Sequence, residues 1–331
     1  MIKRMRRFFS PIKQAVLRSF HGIEGAVRRL GDLRFRIEGS ILAHNQRLFL
    51  STYNRLSVRS SSNNGRVPQR FPDGEEHRLE GIVAAMRRDG CVHWPGLFAD
   101  PGFLAEARDT LSEAFAIWKA EFAKVEDNRE DLWYGSKGWG LRRGDFQRYG
   151  RMRVNFFNLE QAVVPPLIRR VMDDPRLAEV AVRYYGAGVK CRYVLAENLH
   201  PSEEGDTWHF DSIGDQFKVM ILLSDVGPEN GPMRYKLGSH QKPPPEIELF
   251  YHQTFRRGLD YGYPSLCLAE KVAGEIKIAT GRAGDCFLFD TIGLHAGSRC
   301  QMGTRLSLVV AFEVDSRKNR ILKRMRGGVV F

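Results

Sequence analysis

From about residue 189 onward the chain turns into short apolar runs separated by turn residues, and this most limits what it can fold into. The runs are Cys191–Leu199, 217–223, 232–237, Glu275–Thr280, Asp285–Phe289 and Thr304–Phe312. Many short strands with turn signals between them point to a sandwich or a barrel. Glu229-Asn230-Gly231 supplies one such tight turn.

Within this strand texture, His209 and Asp211 stand two apart in Trp208-His209-Phe210-Asp211. Residues i and i+2 of a strand share a face, so an imidazole and a carboxylate are aimed into one cavity. His295 follows the run Cys286-Phe287-Leu288-Phe289, and Arg305 and Ser307, again two apart, come shortly after it. Two histidines and one carboxylate cover one face of a metal and leave other positions open, the ligand set of non-haem Fe(II) oxygenases. Each residue alone also has a plain reading. A histidine in a barrel is often only hydrogen-bonded, and Arg305 could be a surface ion pair.

The order of the motifs resembles the phytanoyl-CoA dioxygenase family of Fe(II)/2-oxoglutarate oxygenases over about residues 75–313. The matching text begins at Trp208-His209-Phe210-Asp211 and continues with Lys218–Val226, Glu229-Asn230-Gly231-Pro232-Met233 and Leu237-Gly238-Ser239-His240. It ends with Gly284-Asp285, Phe289-Asp290-Thr291 and Leu294-His295-Ala296-Gly297. The resemblance implies a mainly β core with flanking helices, a cupin-like double-stranded β-helix or jelly roll. It implies Fe(II) held by His209, Asp211 and His295, with 2-oxoglutarate and O2 as cosubstrates. Arg305 would hold the far carboxylate of 2-oxoglutarate, because a guanidinium fork matches a carboxylate where lysine offers a point charge. Ser307 would add a hydrogen bond. Polar residues of the 191–199 strand also help hold 2-oxoglutarate in that family, and alternation carries Arg192, Ala196 and Asn198 inward. His240 reads as structural. Asp211 in place of a small residue favours hydroxylation over halogenation. Met220 and Leu222 stand where many relatives carry an aromatic residue, so phytanoyl-CoA itself is not implied.

The charge is unevenly placed. Residues 1–70 hold fifteen Lys/Arg and three Asp/Glu, which accounts for the whole net charge of +12. This is a basic arm rather than a basic enzyme. Residues 1–56 read as helical, with Ile12, Leu17, Phe20, Ile23, Val27 and Leu30 on a loose stripe among Arg18, Arg28 and Arg29. Three readings stay open: a helical extension packed on its own domain or a second copy, peripheral contact with an anionic membrane surface, or targeting. Nucleic acid is not expected, since no reading motif accompanies the charge. Ser60-Ser61-Ser62-Asn63-Asn64-Gly65 reads as a linker, which puts the extension at 1–70 and the oxygenase domain at 71–331. Five scattered cysteines, none in Cys-x-x-Cys, fit a reducing, cytoplasmic setting.

Between linker and strands, Asp73 with Glu76 reads as a capping box, Leu79, Ile82, Val83 and Met86 as one helix face, and Cys91–Trp94 as a strand. Asp100-Pro101 opens a long helix, residues 126–150 read as a loop over the mouth of the site, 153–157 as an edge strand and 175–185 as a helix. Residues 241–265 are an insertion, either a substrate lid or a packed surface excursion. The expectation is an Fe(II)/2-oxoglutarate-dependent dioxygenase that hydroxylates a small molecule, a lipid or a glycan intermediate and releases succinate and CO2. The alternatives are a non-catalytic jelly-roll module docked through its basic arm, and a zinc hydrolase, which the lack of a His-Glu-x-x-His motif disfavours. The oligomeric state is not legible.

Overall fold

A computed structural model describes residues 71–123, 131–134, 139–142, 150–156, 165–211, 214–241 and 274–320. The chain divides into two units, Met1–Arg55 and Leu56–Phe331, and every described residue lies in the second. The basic extension and linker, and the 241–265 insertion beyond Gln241, lie outside the described residues.

Helix α1 spans Asp73–Asp89. Asp73 is its first helical residue rather than its cap; the Pro72 carbonyl accepts from the amides of Glu75 and Glu76 instead. Leu79, Ile82, Val83 and Met86 are its buried residues, and the helix stops at Gly90, whose φ of 78° suits glycine. Strand β1 follows at Cys91–Trp94 and helix α2 at Pro101–Ala123. There Asp100 caps as expected, its Oδ1 accepting from the Phe103 amide at 2.7 Å. Helices α3 (Pro166–Met172) and α4 (Pro175–Tyr185) complete the helical layer.

The remaining elements are strands: β2 (Asp131–Tyr134), β3 (Trp139–Arg142), β4 (Arg151–Phe156), β5 (Val189–Leu199), β6 (Gln216–Leu222), β7 (Met233–Lys236), β8 (Ile276–Ile278), β9 (Cys286–Asp290), β10 (His295–Gly297) and β11 (Arg305–Val314). They form an eight-stranded sheet, β1-β9-β6-β11-β5-β4-β3-β2, and a three-stranded sheet, β10-β7-β8. Every pairing is antiparallel. From β5 onward the chain passes repeatedly between the two sheets, which is the jelly-roll winding. Two segments differ from expectation. The 126–150 stretch contains the β2–β3 hairpin rather than only loop, and its Leu, Trp and Tyr suit a strand. That hairpin pairs with β4, so the 153–157 segment lies inside the sheet and not at its edge.

Alternation along the large sheet builds two cores. One face packs on the helices through Val154, Val194, Ala196, Phe217, Val219, Ile221, Leu288, Leu308 and Val310. The other faces the small sheet, where Met220, Leu222, Phe287 and Phe289 meet Met233, Tyr235 and Ala279. The site is built on this second, inner face.

The inner core is packed tightly beside the site. A Cβ added at Gly293 would lie 1.7 Å from the Tyr235 hydroxyl, which donates to the Asp290 carbonyl at 3.0 Å. Gly293→Ala therefore expels a buried tyrosine or shifts the turn that leads to His295. We expect a stability loss of about 1–3 kcal/mol, the usual cost of overpacking. A denaturant midpoint equal to that of the wild type would contradict it.

Candidate active site

The two histidines are brought together by backbone pairing. The His209 amide donates to the His295 carbonyl at 2.9 Å and the His295 amide returns the bond at 2.9 Å, so the residues sit directly opposite on neighbouring strands. Their rings lie 4.4 Å apart between centroids. The Asp211 amide donates to the Thr291 carbonyl at 3.0 Å, which ties Asp211 to the turn that precedes His295. Asp211 thus lands on the face of His209. One ligand atom from each of His209, Asp211 and His295 lies within 4.8 Å of the others, the one such cluster among the described residues.

Each imidazole is oriented from behind. His209 Nδ1 is 2.8 Å from the Thr207 carbonyl, and His295 Nδ1 is 2.9 Å from the Gly293 carbonyl. A carbonyl only accepts, so each Nδ1 carries the proton and each Nε2 keeps its lone pair. His209 Nε2 is 3.7 Å from Asp211 Oδ1, and His295 Nε2 is 3.3 Å from Asp211 Oδ2. Burial, then the neighbouring His295, pushes the His209 pKa down to about 4, so this imidazole is neutral at ordinary pH. Burial works against ionisation of Asp211, but the Lys218 ammonium against it outweighs that and holds the carboxyl well below its usual range. Two imidazoles, each held by a carbonyl behind it, and one carboxylate are a donor set that fits Fe(II).

Arg305 and Ser307 lie on the inner face of β11, in register with Leu199 and Glu197 of β5, and both are buried. Arg305 donates through Nη1 to the Gly231 carbonyl and through Nη2 to Glu197 Oε1. Arg305 Nε and Ser307 Oγ are buried with no hydrogen-bond partner. An orphaned guanidinium edge and an orphaned hydroxyl two residues apart on one strand face are what a ligand carboxylate would satisfy. The residues therefore fit 2-oxoglutarate as well as the metal.

Arg192 and Asn198 are not brought to this face. Ala196 packs in the helix-side core, and Asn198 shares its parity while pairing with Leu306. Arg192 sits at the register shift opposite Ala311/Phe312 and is exposed. The inner residues of β5 are Tyr193, Leu195, Glu197 and Leu199. The expected alternation ran one residue out of phase because the strand of His209 belongs to the other sheet, and parity does not carry across the connection.

The out-of-phase reading also missed Glu197. This buried carboxylate accepts from Arg153 Nε at 2.7 Å and from Arg305, with Arg151 Nε at 3.7 Å. Arg151 in turn makes two bonds to Asp206, at 2.6 and 2.5 Å. Lys218 was missed as well, although Met220 and Leu222 on the same strand face signalled it; its Nζ is 2.6 Å from Asp211 Oδ2. His240, read as structural in the sequence, lies beside the end of α1. Its ring fills the space over Gly90, and its Nε2 lies 3.3 Å from the Arg87 carbonyl. The groove between α1 and α4 lies outside the barrel, and its Arg183 is paired with Glu76 and Glu179, so it is not the chamber.

Glu197 makes a pH test. Burial opposes its ionisation, but Arg153, Arg151 and Arg305 together hold its pKa far below the ordinary 4.5. A depressed carboxyl stabilises the fold above its unfolded value, and this is lost as pH falls toward the folded value. We expect Glu197→Gln to be less stable than wild type by about 3–5 kcal/mol at neutral pH, since it breaks a buried ion-pair cluster. The gap should narrow as pH falls below about 4.3. A gap independent of pH would contradict the cluster.

Among the described residues no helix is long and apolar enough to cross a membrane. A family profile, Phytanoyl-CoA dioxygenase (PhyH), matches residues 86–301. The chain is similar to the ectoine dioxygenase of Bordetella parapertussis, 28% identical over 153 residues that cover 41% of this chain and 49% of the relative. It is also similar to the ectoine dioxygenase of Stutzerimonas stutzeri, 25% identical over 235 residues that cover 66% of this chain and 70% of the relative. The match thus spans about half the length of the first of these relatives and more of the second. Among solved structures it is similar to the α-ketoglutarate-dependent epimerase SnoN from nogalamycin biosynthesis, at 21% identity and a TM-score of 0.47, covering 72% of this chain and 81% of that one. The profile match takes in most of the β core, with His209, Asp211 and His295 inside it, and the chain belongs to the phytanoyl-CoA dioxygenase (PhyH) family.

Proposed function

We propose that the protein is an Fe(II)/2-oxoglutarate-dependent dioxygenase that hydroxylates a small molecule, a lipid or a glycan intermediate. The observation that carries this reading is the convergence of His209, Asp211 and His295, with Arg305 Nε and Ser307 Oγ buried and unpartnered on the inner face of β11. Iron held there would supply the oxidative chemistry that couples 2-oxoglutarate decarboxylation to substrate hydroxylation. The protein's own part is orientation and charge. The Thr207 and Gly293 carbonyls fix the imidazoles, Glu197 and the Gly231 carbonyl fix the Arg305 fork, and the free edge of that fork receives the far carboxylate of the cosubstrate. Met220, Leu222, Phe287 and Phe289 form the apolar core between the sheets, and the Phe289 ring lies 5.2 Å from that of His295.

The substrate is a separate question. The similarity to ectoine dioxygenases makes ectoine the first compound to try. The assay is succinate release by the iron-loaded protein in air, with 2-oxoglutarate and such pools. Stimulated succinate formation supports the reading. No succinate above background with any pool, together with no binding of 2-oxoglutarate, ends it.

A further inference from the structure

We propose that Lys218 is a positioning residue for the metal carboxylate: its ammonium occupies Asp211 Oδ2, so that Asp211 offers a metal one oxygen and not two. This rests on the reading that His209, Asp211 and His295 bind a metal.

Lys218 is placed by strand alternation. Phe217, Val219 and Ile221 of β6 pack into the helix-side core. Lys218 takes the opposite face, with Met220 and Leu222, which belong to the core between the sheets. A cation on that face loses most of its hydration, and such a group needs a paired charge. The side chains of Lys218 and Asp211 are only 13% and 9% exposed, and their Nζ–Oδ2 contact is 2.6 Å. The Tyr193 ring, from the inner face of β5, lies 5.8 Å from the ammonium. The lysine head is thus fixed against the one carboxylate of the cluster.

The consequence is a coordination count. A metal held there would have about six positions, and a cosubstrate that chelates through two atoms would need two of them with one more left open. Two imidazoles and one carboxylate oxygen leave three open. A carboxylate that turns both oxygens to the metal leaves two. Oδ2 also lies 3.3 Å from His295 Nε2, so it is the 2.6 Å contact to Lys218 that competes with a metal for this oxygen, while Oδ1 stays on the His209 side at 3.7 Å from Nε2. A lysine with a merely structural role would brace the fold and leave the metal's surroundings unchanged, and the two roles separate in the metal's spectrum.

The test uses cobalt(II) as the probe in the full chain, with visible absorption to report coordination number. Wild type, Lys218→Met, Lys218→Gln and Lys218→Arg are titrated with cobalt and then with 2-oxoglutarate. We expect all four to bind cobalt, because the ligands are intact. Lys218→Met should show a changed band intensity and at least tenfold weaker 2-oxoglutarate binding, the usual scale for a group that orients a metal ligand. Lys218→Arg, which can still donate to Oδ2, should restore the wild-type spectrum. Lys218→Gln, which keeps a neutral donor, should fall between, and it serves in place of Lys218→Met if that variant does not fold. Identical spectra and identical 2-oxoglutarate affinity in wild type and the folded neutral variants would overturn the proposal while leaving the metal site standing. Wild-type protein that binds no cobalt would remove the metal reading, and the proposal with it.

Discussion

His209→Ala is expected to reduce succinate formation to background and to abolish metal-dependent stabilisation while leaving the apoprotein folded. Changes to groups that only orient metal ligands cost about 10–100-fold in affinity or activity, so loss of a ligand should cost at least about 100-fold. The fold should survive because the side chain removed is at the rim of the inner core, and the strand pairing with His295 runs through backbone atoms. The metal-dependent rise in stability follows RT ln(1 + [M]/Kd), so it vanishes when Kd climbs past the metal concentration. A thermal melt with and without Fe(II) under argon, in parallel with the succinate assay, reads both effects. Asp211→Ala should behave differently. It removes the carboxylate that Lys218 contacts at 2.6 Å and should cost on the order of 3 kcal/mol even without metal. Metal-dependent stabilisation that persists in His209→Ala would place the metal elsewhere.

Arg305→Lys is expected to weaken 2-oxoglutarate binding by roughly 10- to 100-fold with much less effect on metal binding. The guanidinium spends Nη1 on the Gly231 carbonyl and Nη2 on Glu197, which leaves the Nε edge for the ligand. A lysine keeps the charge but has no fork, so it cannot satisfy Glu197, the Gly231 carbonyl and a ligand carboxylate together. Hydrogen bonds to charged groups contribute about 1.5–3 kcal/mol each, and 1.4 kcal/mol is tenfold in affinity. Ser307→Ala removes one orphaned hydroxyl and should cost less. Calorimetric titration of the metal-loaded variants with 2-oxoglutarate measures both. Unchanged affinity in Arg305→Lys would mean that the far carboxylate is held by another group.

The parts of this site that were legible in the sequence are those that depend on local spacing. His209 and Asp211 share a face because they are two apart, and Arg305 and Ser307 do so for the same reason. The capped start of α2, the buried stripe of α1 and the extent of α4 likewise follow from local signals. Relations between strands of different sheets were not legible. The parity of β5 depends on how residues 200–208 cross from one sheet to the other, and the register shift near Ala311 removes Arg192 from the pattern. Glu197 was hidden for that reason, since β5 and β11 are neighbours in the sheet but far apart in sequence and nothing local signals their pairing. Lys218 could have been found, because Met220 and Leu222 were already on the inner side. The 126–150 segment misled through its glycines, whereas its Trp and Tyr residues follow the β2–β3 pairing.

The most direct measurement is an anaerobic titration of the protein with Fe(II) and 2-oxoglutarate, followed by visible absorption. A chelated keto acid on iron gives a charge-transfer band that neither component gives alone, so the band reports ligands and cosubstrate together without any need for the substrate. The account predicts a saturable band with one iron per chain that is absent in His209→Ala and needs far more 2-oxoglutarate in Arg305→Lys. A flat spectrum in the wild type, with no 2-oxoglutarate bound by calorimetry, would contradict it.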